Sequence, residues 1–124
     1  MNAPHPAEHI VLNEDEKKIS YQEDQKIADA GTFTLLKEDH TLGNIIRMSL
    51  LADGRVLFAG YRMPHPLENR MIIKIKTRPG YKPVQILLEH LNLLKIEIGS
   101  LQQQFESQVT EKKAAAMDNF DNYL

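Results

Sequence analysis

Lys37-Glu38-Asp39-His40-Thr41-Leu42-Gly43-Asn44-Ile45-Ile46-Arg47 is the stretch on which the fold turns. Just before it, Thr32-Phe33-Thr34-Leu35-Leu36 is rich in β-branched and apolar residues, which predicts a strand. Within it and beyond, Leu42, Ile45, Ile46, Ser49 and Leu50 recur at helical spacing, which predicts a helix over about 41–52. Asp39 or Thr41 can cap that helix by accepting from an orphan backbone N–H. Gly43 weakens the first turn but lets another group come close, so something is expected to pack against this corner. Asp53-Gly54 ends the helix, with Gly54 suited to the left-handed C-terminal position. Leu42, Ile45, Ile46, Ser49, Leu50 and Ala52 cover a broad face, widened by Met48 and Leu51. Only Gly43, Asn44 and Arg47 form a polar strip. A surface helix needs a narrower apolar stripe than this. The helix is therefore either wholly buried or meets another chain on its second flank.

Upstream, residues 1–30 read as a polar, partly irregular extension. Lys17-Lys18-Ile19-Ser20-Tyr21 predicts a short strand with Ile19 and Tyr21 on one face, and Gln22 to Gly31 reads as loop. Downstream, Arg55 to Met63 predicts a strand apolar on both faces, hence a central one. Pro64-His65-Pro66 stops it, because proline donates no ladder hydrogen bond. Arg70 to Arg78 alternates cleanly: Met71, Ile73, Ile75 and Thr77 against Lys74, Lys76 and Arg78. The two strands form a hairpin around Pro64–Asn69.

Arg78-Pro79-Gly80-Tyr81 is a turn signal, and Pro83 suits the first turn of a helix. From there a helical pattern runs to about Ala116. Its spine, Val84, Leu87, Leu91, Leu94, Ile98, Leu101 and Phe105, alternates three and four. Roughly thirty helical residues span about 45 Å, more than the ~30 Å width of a small domain. The distal part therefore has little of its own domain to cover. Residues 117–124 read as a short, acidic, frayed tail, and 31–116 as the one domain. The fold class is α+β: a small antiparallel sheet packed on two helices, the C-terminal one long. The apolar positions left over, Leu42, Ile45, Ile46, Met48 and Ser49 on the first helix and Leu94, Ile98, Leu101 and Phe105 on the second, mark an association surface.

With 124 residues and no Cys, the chain predicts one domain without disulfides or Cys-based metal sites. A net charge of -2 and a pI near 6.2 argue against non-specific nucleic-acid binding as the main task. No run is apolar enough to cross a bilayer, and the first residues lack a signal peptide's features, which predicts a soluble intracellular chain. Asp39, His40 and His65 match no metal-ligand spacing. His40 reads as a helix start and His65 as a turn residue. No nucleophile motif surrounds any Ser, and Ser49 is expected to bond the backbone one turn back. No cofactor is implied. Gly60 inside a strand predicts a bulge or a close approach. Lys74, Lys76 and Arg78 read as solvated, without the interleaved aromatics of a single-strand binder.

His40-Thr41-Leu42-Gly43-Asn44, with Arg47 following, resembles the signature of the RNA polymerase α-subunit amino-terminal-domain family, which includes archaeal subunit L. The longer order is closer still to the eukaryotic branch serving RNA polymerase II. It runs through Glu38 and Asp39 into that signature, then Val56-Leu57-Phe58-Ala59-Gly60-Tyr61, then Pro64-His65-Pro66-Leu67. The resemblance spans about Leu12 to Val109. Met1-Asn2-Ala3-Pro4 and Glu16-Lys17-Lys18-Ile19 look more like this branch than the paralogue shared by RNA polymerases I and III.

The resemblance implies a non-catalytic subunit in the nucleus. It implies a direct heterodimer with the third-largest, α-like subunit, made through the helices. The second-largest and largest subunits then dock on that platform, with small zinc-binding subunits assisting. Little direct nucleic-acid contact is implied. Bacterial α carries a domain inserted among the sheet strands and a DNA-binding domain after a linker. Here only Pro64–Asn69 joins the two strands and no such domain is expected after the long helix, so promoter contacts are not carried over. A competing class is a free-standing nucleic-acid-binding homodimer using the basic strand.

Overall fold

Alternation in the last strand decides which side of the sheet becomes core. The computed structural model describes Ala7 and residues 10–122. The elements are β1 (Ile19–Glu23), β2 (Ala30–Leu36), α1 (His40–Leu51), β3 (Val56–Arg62), β4 (Arg70–Thr77) and α2 (Pro83–Asn122). All strand pairs are antiparallel, in the order β1-β2-β4-β3. In β4, Met71, Ile73, Ile75 and Thr77 are buried while Lys74 and Lys76 are exposed. Phe33 stands opposite Ile73 and Leu35 opposite Met71, and both are buried with them. Each such side chain contributes about 1.5–3 kcal/mol through burial. Ile46 and Leu50 of α1 and Ile86 and Leu87 of α2 complete the core.

The chain divides into two compact units, Met1–His90 and Leu91–Leu124, so α2 begins in the first and ends in the second. Within the first unit, β2 reaches α1 through a tight corner. Lys37 takes a left-handed φ of 59° there, and its N–H donates to the Asn69 carbonyl. Glu38 pairs with Lys18 at 2.8 Å, just before β1. Asp39 caps α1, its side chain accepting from the Thr41 N–H at 2.9 Å.

Several expectations need correction. β3 is an edge strand, paired only with β4 among the described residues. It looked central because an apolar residue there need not be covered by a neighbouring strand. The segment expected as loop holds the end of β1 and the start of β2. Asp24 makes the reversal, its carboxylate accepting from the Lys26 and Ile27 N–H groups at 2.8 and 2.9 Å. Ile19 and Tyr21 do share a face, opposite Leu35 and Phe33. Gly54 does not take the left-handed position; α1 ends on Ala52 in a right-handed conformation, and Gly80 carries the positive φ of 93°.

In α1, Gly43 belongs to the buried side with Ile46 and Leu50, not to a polar strip. In α2 the buried stripe is Pro83, Ile86, Leu87 and His90; of the expected spine Leu87 lies on it and Leu91 is half-buried, while Val84 is exposed. α2 also continues through 117–122, where a frayed tail was expected. Ala114-Ala115-Ala116 leads into that turn, and no Gly or Pro interrupts it. Expectations for 1–6, 8–9 and 123–124 lie outside the described residues.

Candidate dimerisation surface

The quoted stretch and the later Gly60-Tyr61 meet in space. Tyr61 lies over the first turn of α1. A Cβ on Gly43 would stand 2.6 Å from the Tyr61 ring and 2.6 Å from the Met71 sulfur. His40 Nδ1 and the Tyr61 hydroxyl are 2.9 Å apart, so the ring is held at both ends. This is the close approach that a glycine at 43 foretold. Arg47 donates to Asn44 Oδ1 at 2.7 Å, one turn back. Pro64, His65 and Pro66 lie in the β3–β4 connection, where His65 Nδ1 accepts from the Leu67 N–H at 3.2 Å. These motif residues dock α1 on β3 and shape the turn. No group of three metal-ligating side chains, Asp39, His40 and His65 included, converges among the described residues.

Gly43→Val tests this docking. Overpacking against two fixed neighbours is expected to destabilise the fold by roughly 2–3 kcal/mol in urea unfolding. Gly54→Ala, with open space around its Cβ, is the control and is expected to change stability little.

With α1 docked, its other flank is left uncovered. Ile45, Met48 and Leu51 are 42, 58 and 50% exposed. Of the other expected interface positions, Leu42 is half-buried. Ile46 is fully buried within its own chain and is withdrawn from the surface. Ser49, expected to bond the backbone one turn back, turns its hydroxyl to His90 Nδ1 at 2.8 Å. Along α2, Leu94 is half-buried, and Ile98, Leu101 and Phe105 are 58, 67 and 68% exposed. Apolar side chains in such a row on an exposed helix make this a candidate association surface.

Residues 30–104 match the family described as the RNA polymerase Rpb3/Rpb11 dimerisation domain. The chain belongs to the Rpb3/Rpb11 dimerisation family. Over its full 124 residues it is 46% identical to DNA-directed RNA polymerase II subunit rpb11 of Dictyostelium discoideum, covering 100% of both chains. It is 39% identical over 109 residues to the probable RNA polymerase II subunit RPB11 of Caenorhabditis elegans, covering 88% of each. The fold is that of subunit L of the Thermoplasma acidophilum RNA polymerase. That match has a TM-score of 0.63 at 21% identity and covers 79% of this chain and 96% of that one. The chain is thus an RNA polymerase II subunit of the Rpb3/Rpb11 dimerisation type.

This Rpb3/Rpb11-type domain also holds a buried polar chain that sequence reading missed. His90, 7% exposed, sits between Ser49 and Asp53. Its Nε2 lies 2.7 Å from Asp53 Oδ2. A carboxylate only accepts, so Nε2 carries a proton, and Nδ1 is left to accept from Ser49 in the neutral ring. Asp53 also accepts from Arg55 Nη2 at 2.7 Å, and Arg55 reaches Glu89 Oε2 at 2.8 Å. The Arg55 guanidinium, then His90, hold the Asp53 carboxyl well below the usual carboxylate range.

The order Ser-His-Asp invites a hydrolase reading, which the geometry rejects. Ser49 lies inside α1, where the following N–H groups serve the helix ladder and leave no oxyanion hole. The chain of bonds instead ties the first turns of α2 to α1. A signal for it existed: His90 follows Ile86 by four and Leu87 by three, on the buried stripe.

Proposed function

We propose that the chain is the small, non-catalytic member of a heterodimer with the larger α-like subunit of RNA polymerase II. In the nucleus, this dimer is the platform on which the second-largest and largest subunits assemble. The observation that carries the reading is the exposed apolar run Ile98, Leu101 and Phe105 on α2. The α1 flank at Ile45 and Met48 is the second area the partner covers, with Leu42 and Leu94 half-buried beside the exposed positions. The family's description as a dimerisation domain supports it.

The test is the mass of the full chain by light scattering, alone and mixed with the third-largest subunit. A 1:1 complex is expected on mixing. A stable homodimer indifferent to that subunit would favour the free-standing alternative. The purified chain is also expected to incorporate no nucleotide with any divalent metal and template. Incorporation that co-purifies with the chain and survives removal of contaminating polymerase would overturn the non-catalytic assignment.

A further inference from the structure

The far side of the sheet, away from the buried core residues, has its own unusual corner. Between Val56 and Phe58 the β3–β4 register slips. Val56 stands opposite Thr77 and Phe58 opposite Lys76, which makes Leu57 the extra residue of a β-bulge. Without the bulge, Phe58 would fall opposite Ile75 and turn into the core. With it, Phe58 turns outward beside Lys76 and is 51% exposed. Its ring leans over Gly60, where a Cβ would meet it at 3.1 Å. Arg62, two residues on, shares that face, and Lys74 stands opposite Gly60 on the neighbouring strand.

The charge on this corner is mainly positive. The whole chain carries a formal -2, yet Arg62, Lys74 and Lys76 gather here. Lys74 is 4.0 Å from Asp24. Arg62 and Lys76 form no ion pair among the described residues. β3 has β4 as its only strand partner among those residues, so no strand pairs with its outer edge among them. Charges on an edge strand deter stray pairing. An aromatic ring turned out by a bulge does the reverse, and it asks for a cover.

We propose that the β3 edge docks an extended acidic segment of another protein. The segment adds one strand to β3, sets an apolar side chain on Phe58, and brings carboxylates to Arg62, Lys74 and Lys76. Arg62 and Lys76, without ion pairs among the described residues, call for an anionic partner, with Lys74 beside them held only at 4.0 Å from Asp24. The open backbone edge calls for a peptide, because an added strand is held by main-chain hydrogen bonds that a nucleic acid does not make. A single ring also falls short of the successive stacking platforms of a single-strand binder.

The probe is a fluorescein-labelled Glu-Val repeat peptide of about ten residues, long enough to pair along the edge. Its anisotropy is titrated with the full chain, alone and with the α-like subunit. Binding that weakens with salt is expected. The combined Arg62→Gln, Lys74→Gln and Lys76→Gln variant is expected to lose about tenfold in affinity, the sum of three surface pairs. Phe58→Ser is expected to weaken binding with the far-ultraviolet circular dichroism unchanged, since the ring is not in the core. A peptide N-methylated at alternate positions is expected to bind more weakly still.

Equal binding by wild type and the triple variant overturns the proposal, as does no binding by wild type. Undiminished binding of the N-methylated peptide removes the added strand and overturns it in this form. An oligouridylate that binds more tightly than the peptide, and loses affinity in the triple variant, assigns the corner to nucleic acid instead.

Discussion

A chain carrying both Leu101→Ala and Phe105→Ala is expected to bind the α-like subunit more weakly by roughly 3–5 kcal/mol. The two side chains are 67 and 68% exposed in the isolated chain. In the proposed complex they are expected to lie at the centre of an apolar strip, where fully desolvated side chains cost most on truncation. The effects are not additive, so the sum stays below twice a single hot spot. The same double variant is expected to melt within a few degrees of wild type, because little of either side chain is buried before the partner arrives.

Leu87→Ala is the control. Leu87 is 3% exposed, in the first turns of α2. Its truncation is expected to cost about 2–5 kcal/mol of fold stability. Any loss of partner binding then follows from unfolding. Thermal melts of the isolated chain and titration calorimetry with the partner read both variants. A distal variant that melts like Leu87→Ala yet binds normally would mean that Leu101 and Phe105 serve their own fold, and the dimer reading would fail.

How much of this was legible depended on what covers each element. β4 reads without error because water bathes one face and core the other, so burial and alternation coincide. The α1 corner reads from its residues too, since a cap at Asp39 and a glycine at Gly43 are local requirements. The partner of Gly43 did not read. A glycine has no hydropathy to mark it as buried, and only the Tyr61 ring reveals why it is. β3 misled because its apolar Leu57 and Phe58 are half-exposed on an edge strand rather than covered by a second neighbour, and the bulge at Leu57 turns Phe58 to the far face.

The phase of α2 misled for another reason. Ile86, Leu87, Leu88, Leu91, Leu93, Leu94 and Ile96 leave almost no polar face, so several stripes fit equally well. The fold uses the stripe through Pro83, Ile86, Leu87 and His90. Much of the remaining apolar surface is exposed, and a partner's helices are the proposed cover. Ile46 shows the limit of the pattern: one residue's spacing separates a side chain in the chain's own core from one facing outward.

Asp53→Asn is expected to remove an acid-labile part of the fold's stability. Asp53 bonds both Arg55 and His90 as a carboxylate, and its side chain is 11% exposed. The amide keeps one acceptor but loses the charge that both donors face. Hydrogen bonds to charged groups are worth about 1.5–3 kcal/mol, so a loss of roughly 2–3 kcal/mol is expected at pH 7.

The pH dependence follows from the direction of the shift. Arg55 first, then His90, lower the folded-state pKa of Asp53 below its ordinary value. A depressed carboxylate contributes stability that is fully present above the unfolded pKa of about 3.9. That stability is lost as pH falls below it toward the folded pKa. Wild type is therefore expected to lose stability from about pH 5 downward faster than Asp53→Asn, so the gap between them closes in acid. Urea unfolding at fixed protein concentration, from pH 7 down to about pH 2, measures the gap. His90→Ala closes the cycle. Because Asp53 and His90 share a bond, the double variant is expected to cost less than the two singles summed. A gap constant across the acid range would show that Asp53 is not held ionised by the fold. Strict additivity would show that the 2.7 Å contact with His90 contributes nothing of its own.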